Sequence, residues 1–224
     1  DRARFFMELG LDWYRCAIAG VTPPSVWRRV RRQTLAENPD AFMLAEIIPP
    51  VAEFIARQFD AFYDPWVYWE LRDGFAGNKE FSSLDTAMQA AQRYVQDQGR
   101  ASIRDAGDPK HLVRVRYLGN QDEDRFLFLA GGSKDRQRVA ASVQLSIPGT
   151  PLITYGDEVA LIEARGRMGF ERDPAMLAHY LKATRIRAAN PGLRGQTTAG
   201  AGEAGNRYLR IASDWDPGAD KVFS

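Results

Sequence analysis

The 224-residue sequence has one cysteine, Cys16, and two histidines, His111 and His179. A single thiol cannot close an internal disulfide. Three such side chains in all cannot supply the cysteine and histidine sets of structural zinc sites or iron–sulfur clusters, so no metal and no cofactor is expected. An excess of one charge is also missing: 30 Lys and Arg stand against 29 Asp and Glu, a net of +1. Neither nucleic acid nor a membrane surface is therefore expected as a partner. Wholly apolar runs extend only a few residues and no basic-then-apolar leader precedes them, which predicts neither a spanning helix nor a signal segment. The first residue is Asp1 rather than Met, so the start is expected to reflect processing or truncation, and the compartment stays open. What the chain does have is core material. At 45% hydrophobic and 11% aromatic, a chain of this length is expected to fold as a globular domain with a substantial core.

Short aliphatic runs alternate with longer helical patterns, the rhythm of a parallel sheet built from strand–helix units. The pattern predicts a helix over Arg2 to Leu9 and a strand over Leu11 to Ile18. After the turn at Val21-Thr22-Pro23-Pro24 it predicts a helix over Ser25 to Glu37. A second strand is expected over Ala41 to Ile48, a helical stretch over Val51 to Gln58 and a short strand over Phe59 to Tyr63. Further on come a helix from Leu84 to Gln98, a strand from Leu112 to Leu118 and a helix from Lys134 to Leu145. A fifth strand is expected from Pro151 to Tyr155 and a long helix from Pro174 to Ala189, stopped by Asn190-Pro191-Gly192. The arginines Arg28, Arg29, Arg31 and Arg32 read as a solvated helix face, and Trp66, Tyr68 and Trp69 as helix packing.

In a parallel barrel or open sheet, chemistry gathers at the carboxyl ends of the strands. Those ends carry Arg15, Glu46, Asp122 and the pair Asp157-Glu158. Glu46 is the single charge in an apolar run, and a carboxylate there must be paired or face a cleft, because burying it alone costs several kcal/mol. Carboxylates converging with an arginine form the set that glycoside hydrolysis needs: a protonated acid for the leaving oxygen and an ionised carboxylate facing an oxocarbenium-like centre. By spacing alone, carboxylates salt-bridged at a surface remain an equal alternative.

The motifs themselves resemble the α-amylase superfamily, glycoside hydrolase family 13. Ser146-Ile147-Pro148-Gly149-Thr150-Pro151-Leu152-Ile153-Thr154-Tyr155-Gly156-Asp157-Glu158 is similar to the family's eighth-strand signature, and the stretch from Tyr180 to Gly195 to the one that closes the barrel. Phe42-Met43-Leu44-Ala45-Glu46 is similar to the fifth-strand motif, which implies that Glu46 is the general acid/base. Leu118-Gly119-Asn120-Gln121-Asp122 is similar to the seventh-strand motif, which implies Asp122 as the transition-state stabiliser. Gly10 to Gly20 is similar to the fourth-strand motif, with its arginine at Arg15 and its nucleophile position at residue 17. Arg15, Asn120, Gln121 and Tyr155 are implied as substrate-binding positions. The resemblance implies a partial TIM-type (β/α)8 barrel, about strands 4 to 8 with their helices, over residues 1–195. Residues 196–224 would then be a linker, running from Ala199 to Gly205, and the start of a truncated C-terminal β-domain.

Three departures surround the implied cleavage subsite. Residue 17 is Ala17, Gln121 stands where the family has a histidine, and Trp13 stands where a small glycine is usual. A methyl group can neither form a glycosyl-enzyme nor hold an arginine. Arg15 is therefore expected to lack its ion-pair partner, and retaining hydrolysis of α-glucans or α-glucosides to be absent or severely impaired. A non-catalytic carbohydrate- or partner-binding protein on the same scaffold, or a fragment without independent function, are the alternatives. The expected partner is an α-linked oligosaccharide or glucan. If strands one to three precede Asp1, a second chain could complete the barrel, since an open arc exposes its edge strands. The family's calcium ligands come mostly from segments outside the matched stretch, and no metal site is implied here.

Overall fold

Proline and glycine set the element boundaries. The computed structural model describes residues 2–55, 58–77, 84–99, 112–190, 193, 197–201, 209–213 and 221–223. His111 and the remainder of the expected linker, 202–205, lie outside them. The chain divides into two units, Asp1–Pro65 with Ala91–Val115 and Trp66–Ala90 with Arg116–Ser224.

The first unit opens with helix α1 (Arg2–Glu8) and strand β1 (Trp13–Cys16), followed by a 3-10 turn at Ala19–Val21. Helix α2 (Pro24–Glu37) has proline in its first turn, where the missing N–H goes unused. Strand β2 (Phe42–Ala45), the short helix α3 (Ala52–Ile55) and strand β3 (Ala61–Tyr63) follow. Residues Val113–Val115 of strand β4 (Val113–Arg116) complete this unit's sheet. All pairings are parallel and in chain order: Trp13 faces Phe42 and Cys16 faces Ala45, Leu44 faces Ala61, and Ala61 faces Val113. The inner strands are closed on both faces, with every residue of β3 buried, as parallel sheets under helices require.

Arg31 departs from the expected solvated face of α2. Its side chain is only 2% exposed, while Arg28, Arg29 and Arg32 are in solvent. One Nη donates to Ala41 O at 3.0 Å and the other lies 2.5 Å from Asp60 Oδ1. Asp60 Oδ2 accepts the Met43 N–H at 2.8 Å. A buried guanidinium is tolerated because its donors meet a carbonyl and a carboxylate whose second oxygen is itself satisfied.

The second unit contains Trp66–Phe75 of helix α4 (Pro65–Phe75), Leu84–Ala90 of helix α5 (Leu84–Gly99), and helices α6 (Phe126–Leu129), α7 (Lys134–Ser146) and α8 (Pro174–Ala189). Val67, Leu71, Leu84, Met88, Leu118, Phe126, Leu145, Ile147, Met176 and Tyr180 form one buried cluster. Each aliphatic side chain so buried contributes about 1.5–3 kcal/mol relative to exposure. Trp66 packs partly buried against that cluster, and Tyr68 stacks on Tyr117 with ring centroids 4.5 Å apart, so both serve packing, as expected. Helix α8 starts where Asp173 accepts the Met176 N–H at 2.8 Å ahead of Pro174.

The expected fifth strand shortens to β5 (Thr150–Pro151). The Leu152 N–H still reaches Arg116 O, at 2.7 Å, but Thr154 to Val159 turns away. Arg187 fixes the approach to β5: its guanidinium donates to Leu145 O, Ile147 O, Gly149 O and Leu193 O. Beyond it, Thr197–Ala201 (β6), Leu209–Ser213 (β7) and Lys221–Phe223 (β8) form an antiparallel sheet. The stretch from Ala199, expected as flexible linker, thus begins in a strand, because Ala199 pairs with Ile211.

Candidate functional site

Within the first unit, the carboxyl ends of β1, β2 and β3 bring Arg15, Glu46 and Tyr63 together. Glu46 follows β2 directly. Its N–H donates to Cys16 O and its carbonyl accepts from Ala19 N–H, both at 3.1 Å, so the backbones on either side of Ala17 continue the ladder. Arg15 Nη2 donates to Glu46 Oε1. The Ile18 N–H donates to Glu46 Oε2 at 3.0 Å. One carboxylate oxygen therefore accepts from Arg15, two residues before Ala17, and the other from Ile18, the residue after it; Ala17 itself is exposed.

Ala17 leaves Arg15 without the ion-pair partner expected at that position, but Arg15 is not without a carboxylate. The guanidinium spans to the neighbouring strand end and pairs with Glu46. Its Nε–H donates to the Tyr63 hydroxyl at 3.1 Å, and its carbon lies 6.0 Å from the centre of the Tyr63 ring. Tyr63 is 3% exposed. Ile18 makes its bond from a left-handed backbone, φ 46° and ψ 45°, a conformation that β-branched residues rarely adopt. Trp13, 63% exposed, stacks on Phe42 with centroids 4.2 Å apart. Burial raises the Cys16 thiol to about 11, so it is no nucleophile at neutral pH.

Within the second unit, Asn120, Gln121, Asp122 and Tyr155 share one loop system. Asn120 is buried, and its Oδ1 accepts the N–H groups of Asp122 at 2.8 Å and Glu123 at 3.1 Å. That makes it the shaper of the turn which presents the next two residues. Gln121 and Asp122 are exposed, with Gln121 Nε2 2.6 Å from Asp122 Oδ2. Arg165 approaches Asp122 Oδ1 at 3.3 Å and donates to Gln121 O at 3.3 Å. The Tyr155 hydroxyl accepts the Met168 N–H at 2.8 Å. Thr154 Oγ1 donates to Gly119 O at 2.5 Å, tying the two loops together.

Asp157 lies behind this surface, buried. Arg125 bridges to it at 3.4 Å and donates to Tyr155 O at 2.5 Å. Burial raises the Asp157 carboxyl to about 7, helped by the charge of Glu158 and opposed by Arg125. The preceding Gly156 has φ 92°, and a Cβ there would meet the Leu161 side chain at 2.6 Å, so only glycine fits this turn. Asp157 is shielded from solvent, and its neighbour Glu158 folds back onto the Gly156 N–H at 2.9 Å. Of this strand-end pair, Asp157 thus meets Arg125 and Glu158 braces the turn.

Tyr63 and Arg165 were not anticipated. The rule that strand ends carry chemistry applies to Tyr63 as it does to Arg15 and Glu46, but an aromatic at the end of an apolar run reads as core. Nothing in the spacing marks Arg165, whose left-handed φ of 56° emerges only in the folded loop. Among the described residues, no group of three His, Cys, Asp or Glu side chains is arranged to hold a metal ion.

No family model matches the sequence. Neopullulanase 2 from Thermoactinomyces vulgaris is 29% identical over 167 residues, 73% of this chain and 26% of that protein. A cyclomaltodextrinase from a Bacillus species is 28% identical over 198 residues, 84% of this chain and 33% of that protein. Among solved structures, cyclic α-maltosyl-(1→6)-maltose hydrolase from Arthrobacter globiformis matches with a TM-score of 0.80 and 22% identity, over 96% of this chain and 48% of that one. A cyclomaltodextrinase matches with a TM-score of 0.79 and 25% identity, over 98% of this chain and 38% of that one. The chain thus spans between a quarter and a half of the length of these proteins. In sequence and in fold the chain resembles the α-amylase superfamily, glycoside hydrolase family 13, matching a C-terminal portion of such proteins with the fold of a partial α/β barrel.

Proposed function

We propose that the chain is part of an α-amylase-type scaffold that takes up α-linked glucans or glucosides and is severely impaired in cleaving them. The observation that carries this reading is Ala17, seated between the two residues that grip Glu46. In the retaining mechanism, one carboxyl group protonates the leaving oxygen while a second, about 5 Å from the first, attacks the anomeric carbon. Glu46 fits the first role by motif, Asp122 the transition-state carboxylate, and residue 17 the second role. Alanine has no lone pair to offer, so no glycosyl-enzyme can form at this position.

The relatives' activities support the substrate class, since neopullulanase and cyclomaltodextrinase are named for α-glucan substrates. The A. globiformis hydrolase has been solved in complex with maltose and with its cyclic tetrasaccharide. Arg15, Asn120, Gln121 and Tyr155 are the proposed sugar-contacting positions, with Asn120 acting through the turn it shapes. A second reading, a non-catalytic carbohydrate-binding protein on this scaffold, draws on the Arg15–Glu46 pair, which occupies the acid/base with an internal partner.

Calorimetric titration with maltooligosaccharides, combined with an aryl α-glucoside assay with and without azide, tests both. Azide is an external nucleophile small enough for the space a carboxylate would fill. Binding together with azide-dependent turnover is expected of an impaired glycosidase. Binding without turnover favours the binding protein. Absence of binding overturns both.

A further inference from the structure

Arg15 has two anchors rather than one, and only the Glu46 anchor belongs to the carboxylate set that the site chemistry requires. The other is Tyr63, the last residue of β3. Its hydroxyl accepts from Arg15 Nε and its ring lies beside the same guanidinium. Tyr63 is buried, whereas the Arg15 side chain is 36% exposed. A buried tyrosine has little freedom, while an exposed arginine carries a full complement of rotamers. The order of control therefore runs from Tyr63 to Arg15. A guanidinium is planar, so fixing the Nε edge also fixes the direction of the Nη2 donors. In this structure they point at Glu46 Oε1. The Ile18 N–H fixes the other oxygen from a strained backbone, which is the kind of cost a fold retains when surrounding structure over-determines the residue.

We infer that Tyr63 is a positioning residue of this site: it holds Arg15 against Glu46, so that the acid/base carboxylate is kept between Arg15 and the Ile18 N–H with or without a nucleophile at residue 17. A carboxylate introduced at 17 would have to share an arginine that Tyr63 already aims elsewhere. The kinetic part of this inference rests on the proposed function. The part concerning Arg15 does not.

NMR observation of the Arg15 Nε–H in the intact chain tests it. Exchange of this proton with water should be slow in the unmodified chain and about tenfold faster or more in Tyr63→Phe, the scale expected when roughly 1.4 kcal/mol of protection is lost. In Glu46→Gln the proton should stay protected, because Tyr63 still accepts it. An unchanged exchange rate in Tyr63→Phe, or loss of protection in Glu46→Gln with Tyr63 intact, would overturn the inference, and the second variant decides the matter should Tyr63→Phe fail to fold. Where Ala17→Asp gains turnover, adding Tyr63→Phe should change kcat about tenfold with KM unchanged. A change confined to KM would contradict positioning. Should Ala17→Asp gain no turnover, the proposed function is lost while the exchange measurement still decides the role of Tyr63.

Discussion

Arg31 Nη2 and Asp60 Oδ1 lie 2.5 Å apart beneath the parallel sheet, with both side chains buried. The pair joins α2 to the start of β3, and Asp60 Oδ2 adds the Met43 N–H of β2. Removing one member leaves the other as an uncompensated buried charge, which typically costs about 3–5 kcal/mol. Asp60→Ala should therefore lower the unfolding free energy by about that much in urea titrations. Replacing both residues together, Arg31→Met with Asp60→Leu, should cost less than Asp60→Ala alone. A double variant as unstable as the sum of its singles would show that the two do not act as a pair.

The raised Asp157 carboxyl makes a prediction about pH. Its value of about 7 stands above the ordinary 3.8, so between these limits the folded chain keeps a proton that the unfolded chain has released. Its contribution to stability is thus fully present below about pH 4 and is lost as pH rises toward 7, with a total on the order of 4 kcal/mol. Asp157→Asn is neutral throughout and should flatten this part of the profile. Urea midpoints at pH 5 and pH 8 measure the difference, and equal slopes for both proteins would refute the assignment.

Ile18 holds a left-handed backbone with its side chain exposed. Little packing is therefore lost on substitution, while relief of the backbone is available. Asparagine tolerates this region and keeps the N–H that Glu46 accepts, so Ile18→Asn should stabilise the chain by about 0.5–1 kcal/mol. Thermal or urea unfolding checks this, and a loss of similar size would mean that the exposed isoleucine contributes packing after all.

How far the sequence foretold this structure depends on whether the determinant is local. Helix α8 matches its expected bounds because Pro174 starts it and Asn190 caps its end, both within the segment itself. Strand β5 ends early because the Thr154–Gly119 bond and the Gly156 turn pull the chain off the ladder, and both involve partners remote in sequence or in conformation. Arg31 reads as solvated because helical spacing distinguishes faces but cannot show that Asp60 pairs with it in the folded chain. The motif residues were legible as a set, and Ala17 stood out against it. What the set could not show is that Arg15 pairs with Glu46, since that follows from the register that sets Cys16 beside Ala45 and from Tyr63 one strand further on.

The proposed function requires that α-glucoside cleavage be limited at residue 17. The initial rate of aryl α-glucoside hydrolysis by Ala17→Asp, compared with the unmodified chain, tests it most directly. Loss of a nucleophile costs several orders of magnitude in comparable covalent catalysts, so a gain of at least about a hundredfold over a background-level parent is predicted. Turnover by the unmodified chain equal to that of Ala17→Asp, and abolished by Glu46→Gln in both, would show that residue 17 does not limit cleavage.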